Sequence, residues 1–173
     1  MANILCVYYS RTGRTRKLIY SIAQELGCEV VRLEDGVNRR GLSGWLISGL
    51  QAVARKVPPV RQPETKLKLK EYDLVILATP VWAGRCSAPM RSFLMQFGDD
   101  LRRTAYIITR SCDLRYDEVF EQMDQYTRKP RLHALTVRPD SIGSDFWQDE
   151  FLKALRSAKM EEEKGEETHA EQA

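Results

Sequence analysis

The sequence is poor in histidine and has no closely paired cysteines. It holds two histidines and four cysteines, and no two cysteines are spaced as Cys-x-x-Cys. We therefore interpret the cysteines as reduced thiols in a reducing compartment, and we predict no metal site. No basic segment precedes the first apolar run, which is too short to span a bilayer. We expect a cytoplasmic protein without a membrane partner.

The 173 residues are enough for one sizeable core. We expect one domain over residues 1–158 and an acidic tail over residues 159–173, which has too little apolar surface to order itself. Residues 1–158 hold 25 Lys and Arg against 18 Asp and Glu, a formal net charge of +7. A basic domain attracts nucleic acid, an acidic protein or an anionic cofactor. Because the basic residues are scattered, we predict no nucleic-acid binding.

Apolar runs alternate with segments of helical periodicity along the chain. The runs predict five strands, at residues 4–9, 28–33, 72–78, 104–109 and 132–137. Helices are predicted after residue 15, over 42–56, over 88–96, within 110–126 and over 145–158. Trp45, on the helix of residues 42–56, is most simply a packing residue. This order predicts an α/β fold with a parallel sheet and a ligand crevice at the carboxyl ends of its strands.

The loop between the first strand and the first helix is rich in hydroxyl groups and cations. It consists of Ser10, Arg11, Thr12, Gly13, Arg14 and Thr15. The first turn of a helix presents free N–H groups and a positive dipole end, so a phosphate is favoured there. An ordinary capped helix start is the alternative. The sequence has neither the GxxxxGK[ST] nor the GxGxxG motif here, and Cys6 lies too close to Arg11 for a cysteine-phosphatase loop.

Three features together resemble the flavodoxin family. They are Ser10-x-Thr12-Gly13-x-Thr15, the order of the elements, and the run from Tyr72-Asp73-Leu74-Val75 to Thr79-Pro80-Val81-Trp82-Ala83-Gly84 with Pro89-x-Arg91-x-Phe93-Leu94 after it. The inserted Gly41-x-x-Gly44-Trp45 helix is similar to that of a bacterial flavodoxin-like subgroup. The resemblance covers roughly residues 3 to 157.

The resemblance implies a flavodoxin-like three-layer sandwich that binds flavin mononucleotide (FMN). Its five-stranded parallel sheet would have the order 2-1-3-4-5, with an extra helix between strands two and three. The phosphate would be held by Ser10, Arg11, Thr12, Gly13, Arg14 and Thr15. One side of the flavin ring would be flanked by Thr79, Pro80, Val81, Trp82, Ala83 and Gly84. The other side would be flanked by Thr109, Arg110, Ser111, Cys112 and Asp113. No catalytic side chain is required.

Several ring-side residues have more than one reading. Trp82 either stacks on the ring or packs beneath the loop. Gly84 allows a turn in which a carbonyl accepts a hydrogen bond from the reduced ring. Family members usually have a glycine-rich segment after strand four, whereas this chain has Thr109 to Asp113. An arginine there, Arg110, or Arg85 in the preceding loop, would stabilise a reduced anionic ring.

The resemblance implies electron transfer through a non-covalently bound flavin, with a redox protein or a small-molecule electron acceptor as partner. We expect a monomer or a homodimer. One alternative is an NAD(P)H-dependent FMN or quinone reductase. A second is a binding module that kept the fold without the flavin. Electron-carrier flavodoxins are typically acidic, so a basic carrier would need a partner with an acidic face.

Overall fold

Strands and helices alternate through the part of the chain that the computed structural model describes, which is residues 3–34, 36, 44, 48, 50, 54 and 68–170. The strands are β1 (Ile4–Tyr8), β2 (Glu29–Arg32), β3 (Leu74–Trp82), β4 (Arg85–Cys86), β5 (Thr104–Thr109) and β6 (His133–Val137). The helices are α1 (Arg14–Leu26), α2 (Ala88–Phe97), α3 (Asp117–Asp124) and α4 (Ser144–Ala170), with single 3₁₀ turns at Leu69–Glu71 and Gly98–Asp100. None of the helices in these ranges combines the length and the apolar character needed to cross a membrane.

The extra helix predicted for residues 42–56 falls mostly outside the described residues, and so does Trp45. Three residues of that segment are described as helical: Gly44, Ser48 and Leu50. The Ser48 hydroxyl donates to the Gly44 carbonyl over 2.7 Å.

The strands form one mainly parallel sheet of order β2-β1-β3-β5-β6, and β4 pairs antiparallel with the end of β3. The predicted order 2-1-3-4-5 is therefore confirmed, with β4 as a short addition. In the middle of the sheet, Cys6 lies opposite Val30 on one side and Ile76 on the other. All five main strands have their carboxyl ends at the same edge, which we call the carboxyl edge.

Side chains alternate between the two faces of the sheet and build two cores. Leu5, Val7, Val75 and Leu77 face one core, which α2 and α3 cover with Met90, Phe93, Leu94, Val119, Phe120 and Met123. Cys6, Tyr8 and Ile76 face the other, which α1 and α4 cover with Leu18, Ile19, Ile22, Phe151, Leu152 and Leu155. Each fully buried large side chain contributes about 1.5–3 kcal/mol. Burial on both faces explains why β1 and β3 are apolar without alternation.

The end of β3 differs from its prediction. Residues 79–82 were predicted as a loop after the strand, but they continue β3 and form a hairpin in which Val81 lies opposite Cys86. The turn consists of Ala83 (φ 47°) and Gly84 (φ 71°). Positive φ at both central residues is typical of the two-residue turns that match the twist of paired strands.

The last helix also differs from its prediction. It was expected over residues 145–158, and it continues to Ala170, into the acidic segment predicted as a disordered tail. Lys, Glu and Ala are strong helix formers, so the composition that disfavours a packed core still favours helical backbone.

Gly98 provides a test of the packing between α2 and the end of α3. A Cβ atom at Gly98 would lie 1.9 Å from the backbone oxygen of Tyr126, which cannot rotate away. We expect Gly98→Ala to lower the free energy of unfolding by about 2 kcal/mol or more. Urea denaturation of the two proteins measures this difference.

Gly143→Ala is the matched control. Gly143 has φ 86° and open space around the position of a Cβ atom, so only the backbone conformation is penalised, by about 1 kcal/mol. The packing argument is contradicted if Gly98→Ala is no more destabilising than Gly143→Ala.

Candidate functional site

The loop from Tyr9 to Gly13 leads from the carboxyl end of β1 into α1. Gly13 is the residue before the helix and has φ 91°, and no side-chain cap hydrogen bond closes the helix start. The Ser10 side chain is only 7% exposed, and its Oγ accepts a hydrogen bond from the Gly13 N–H over 3.1 Å. The first N–H groups of a helix lack intrahelical partners. This helix start is therefore able to bind an anion.

Cations surround the same helix start. Arg14 is exposed, and its Nε lies 3.9 Å from Asp140 Oδ2; Lys17 Nζ lies 3.5 Å from the other oxygen of that carboxylate. Ion pairs this exposed contribute little to stability. Arg11 is partly buried and Thr12 is exposed. Arg11, Thr12, Gly13 and Arg14 thus lie together at the surface, whereas Ser10 and Thr15 are buried.

Thr15 points into the protein. Its side chain is 2% exposed, and its Oγ1 lies 2.8 Å from Oγ1 of Thr109, which is 6% exposed. Sequence reasoning placed these two threonines at opposite ends of the cofactor, but the structure joins them in a buried hydroxyl pair. This pair ties the first turn of α1 to the end of β5.

The Thr79 side chain is also used internally. Its Oγ1 donates to Ser87 Oγ over 2.8 Å and accepts from the Ser87 N–H over 3.1 Å. Both residues are fully buried. Pro80 lies opposite Thr109 in the sheet and Val81 opposite Cys86 in the hairpin. These residues fix the hairpin to β5 and to the start of α2.

Trp82 is 8% exposed and belongs to the core on the α2 side of the sheet. Its ring meets that of Tyr9 edge-on, with centroids 5.4 Å apart and an interplanar angle of 87°. This position matches the packing role that the sequence left open. Stacking of Trp82 on a ligand stays a prediction.

The tip of the hairpin contacts α3 through a residue that sequence reasoning missed. Gln122 Nε2 donates to the Gly84 carbonyl over 3.2 Å. Gly84 was predicted to allow a turn in which a carbonyl accepts a hydrogen bond from a reduced flavin; that role stays a prediction, and the carbonyl of Gly84 itself is bound by a side chain of the protein. No motif marks Gln122, because a polar residue on a helix is ordinary in sequence.

The segment after β5 folds onto itself. Arg110 is 18% exposed; its Nη1 donates to the Cys112 carbonyl and lies 3.5 Å from Asp113 Oδ1. Arg138 donates to the same Asp113 oxygen over 3.2 Å. Among the described residues, Arg110 Nε is buried without a hydrogen-bond partner. The guanidinium of Arg110 is thus held by its own loop, and its effect on a flavin stays a prediction.

The other residues of this segment are more accessible. Ser111 is exposed and Cys112 is partly buried. Cys112 Sγ lies 3.1 Å from the Tyr116 hydroxyl, and this hydrogen bond lowers the pKa of the Cys112 thiol. Burial raises the pKa of the Cys86 thiol, which lies in β4 opposite Val81.

Known structures resemble the chain over most of its length, although no protein-family model matches the sequence. A flavoprotein from Lactobacillus acidophilus in complex with FMN is 19% identical; the match covers 85% of this chain and 99% of that chain, with a TM-score of 0.65. A flavodoxin, WrbA-like protein from Agrobacterium tumefaciens is 14% identical, with 92% and 97% covered and a TM-score of 0.54. A flavodoxin from the domain Archaea is 12% identical, with 91% and 99% covered and a TM-score of 0.53.

These likenesses agree with the strand order and the layers described above. The protein therefore has the flavodoxin-like fold, as the sequence motifs predicted. At such low identities the likeness defines the fold, and function has to be argued from the site.

The buried pair of Thr15 and Thr109 gives a prediction on stability. Thr15→Val leaves the Thr109 hydroxyl buried without its partner, so we expect a loss of about 1–3 kcal/mol in the free energy of unfolding. Thr109→Val has the same effect from the other side. The double variant loses less than the sum of the two, because no hydroxyl is then left unpaired. Urea denaturation of the four proteins measures the coupling.

Thr12→Val is the control, since Thr12 is exposed and the expected change is within about 0.5 kcal/mol. Additive losses in the double variant would show that the two hydroxyls do not stabilise each other.

Proposed function

We propose that this protein binds FMN non-covalently at the carboxyl edge of its sheet and transfers electrons through it. The observation that carries this proposal is the start of α1, where Gly13 leaves the helix without a side-chain cap and Ser10 holds the loop in place. A phosphate dianion suits this position because N–H groups, the helix dipole and nearby arginines all favour negative charge.

The residues present fit the phosphate group. A Cβ atom at Gly13 would have no other atom within 4 Å, so the space beside the helix start is open. Ser10, Thr12, Gly13 and the arginines at positions 11 and 14 would hold the phosphate. Thr15 would not contact the phosphate but would hold the start of α1 against β5, because its hydroxyl is bound to Thr109.

The ring would be held by the two other segments at the carboxyl edge, the turn of Ala83 and Gly84 and residues 110–113. Bound FMN supplies one- or two-electron transfer. The chain positions these walls through bonds already described, between Thr79 and Ser87 and between Arg110 and its own loop. The Lactobacillus flavoprotein of the same fold, which is in complex with FMN, supports this choice of ligand.

The partner would be a redox protein with an acidic face or an anionic small molecule. Residues 1–158 carry a formal net charge of +7, which speeds encounter with a negatively charged partner and disfavours a basic one. Faster electron exchange at low salt is characteristic of such a pair.

A flavin-less binding module is the second candidate function. It is favoured by the hydrogen bond from Gln122 to the Gly84 carbonyl, since one carbonyl of the turn that would flank the flavin already has a partner. This candidate keeps the anion site at α1 and leaves out the ring.

The ratio of FMN to riboflavin affinity tests the phosphate site. Riboflavin has the same ring without the phosphate, so we expect it to bind at least about a hundredfold more weakly, since each hydrogen bond to a charged group contributes about 1.5–3 kcal/mol. Arg11→Gln is expected to weaken FMN binding about tenfold and to leave riboflavin binding unchanged. Fluorescence titration measures both ligands.

Arg16→Gln is the matched control. It also removes one positive charge, but from α1 and not from the loop before it, at a residue whose charge acts on Tyr8. Equal affinities for FMN and riboflavin would contradict the phosphate site. Binding of inorganic phosphate without either flavin would select the binding module.

Reduction of the FMN-loaded protein distinguishes a carrier from a reductase. We expect NADPH alone to leave the flavin absorbance unchanged, and NADPH with a separate flavodoxin reductase to bleach it. Anaerobic absorbance spectroscopy follows both reactions, and free FMN with NADPH is the blank. Rapid bleaching of the protein-bound flavin by NADPH alone would contradict the electron-carrier function and support the NAD(P)H-dependent reductase function.

A further inference from the structure

Cys6 and Cys28 lie side by side, although 22 positions separate them in the sequence. Their sulfur atoms are 3.4 Å apart, and both are free thiols. Cys6 is in the middle of β1, and Cys28 lies between α1 and β2. Neither residue belongs to the carboxyl-edge site, and neither was assigned a role in the sequence analysis.

The backbone fixes this proximity. Cys6 lies opposite Val30 in the parallel pair of β1 and β2, and Cys28 is two residues before Val30, so their side chains share one face of the sheet. Gly27, in the left-handed conformation, ends α1, and the Cys28 N–H then donates to the Ala23 carbonyl over 3.0 Å. Strand pairing and the helix end therefore hold both thiols in place.

The two thiols differ in access. Cys6 is fully buried, whereas Cys28 is partly exposed and lines a cleft of about 360 Å³. This cleft lies where the parallel strands begin, which we call the amino edge of the sheet. The loop from Tyr9 to Gly13, which we call the anion loop, lies at the opposite edge. A small oxidant reaches Cys28 first.

The contact between the thiols also makes them chemically unequal. The hydrogen bond between the two thiols lowers the pKa of Cys28, and that bond together with burial raises the pKa of Cys6. Since the thiolate is the nucleophile, Cys28, which is also the more accessible thiol, is the reactive member.

We propose that Cys6 and Cys28 form a peroxide-reactive dithiol, a second redox site at the opposite edge of the sheet from the anion loop. The Cys28 thiolate attacks one oxygen of hydrogen peroxide, the O–O bond breaks, hydroxide leaves, and Cys28 becomes a sulfenic acid. The Cys6 sulfur then attacks the Cys28 sulfur, an S–S bond forms and an S–O bond breaks. The thiol proton and the hydroxyl group leave as water.

The two sulfur atoms are already neighbours. A disulfide joins sulfur atoms about 2 Å apart, so they must approach each other by a little more than 1 Å. The bond would close a loop that contains the rest of β1, the anion loop and all of α1. Oxidation at the amino edge would thus link β1 covalently to the segment after α1, on either side of the anion loop.

Hydrogen peroxide treatment of the reduced full-length protein tests this proposal. Peptide mapping by mass spectrometry without reductant is expected to show one linked peptide joining Cys6 to Cys28, with the loss of two hydrogen atoms per chain. Cys112 is the internal reference, because it is a partly exposed thiol with a lowered pKa whose contact is the Tyr116 hydroxyl. It is expected to stop at sulfenic acid and to be labelled by dimedone.

Two variants establish the order of events. In Cys6→Ser, Cys28 has no resolving thiol, so its dimedone labelling is expected to rise at least about tenfold over the wild type. In Cys28→Ser, Cys6 is expected to stay unmodified because it is buried. Should Cys6→Ser fail to fold, the wild-type peptide map and Cys28→Ser still decide the matter.

The proposal is overturned if peroxide oxidises Cys112 while Cys6 and Cys28 remain thiols, or if Cys28 is labelled equally in the wild type and in Cys6→Ser. The readout is the mass of cysteine peptides and needs no flavin. Failure of FMN binding therefore leaves this result unchanged, and failure of the dithiol leaves the FMN proposal unchanged.

Discussion

The parallel pairing of β1 with β2 and β3 fixes where α1 begins, and the candidate site depends on that point. Buried on both faces and bonded on both edges, β1 delivers the chain to the carboxyl edge in one orientation. Gly13 then turns with positive φ, and α1 starts without a side-chain cap. The positive end of the helix, equivalent to roughly half an elementary charge, is left facing outward. We propose that a ligand with a phosphate group satisfies it.

Buried hydroxyl pairs connect this helix start to the rest of the edge. Thr15 with Thr109 joins α1 to β5, and Thr79 with Ser87 joins β3 to α2. Because a buried hydroxyl that loses its partner is costly, each pair holds two elements in register. Thr15, Thr79 and Thr109, which the family resemblance assigns to a cofactor, are therefore used to join elements at the carboxyl edge. In the proposed function they support the loops that would contact the ligand.

The unit of β1 and α1 carries chemistry at both ends. Its carboxyl-edge end has the uncapped helix start, and its amino-edge end has the thiol of Cys28 next to Cys6. One feature attracts an anion and the other is proposed to react with an oxidant. Both arise from where the helix begins and ends, at Gly13 and Gly27.

Local patterns predicted the elements of this fold, because apolar runs and helical spacing are determined by residues near in sequence. The end of β3 was missed because Pro80 and the Ala83–Gly84 turn are typical of a loop, and only pairing with β5 and β4 makes residues 79–82 a strand. The position of the loop between β1 and α1 was predicted, whereas the burial of Thr15 was not. Its partner Thr109 is 94 residues away, and so long-range a hydroxyl pair leaves no signal in a single sequence. Gln122 was missed for the same reason.

Phosphorus NMR of FMN with the purified protein tests the central claim, that the start of α1 binds a phosphate dianion. Free FMN has a second phosphate pKa of about 6, so its phosphorus signal moves between about pH 5 and 8. Bound at the helix start, the phosphate is expected to give a separate signal that stays constant over this range, because the dianion is stabilised there. A bound flavin whose phosphorus signal still titrates like that of free FMN would contradict the claim.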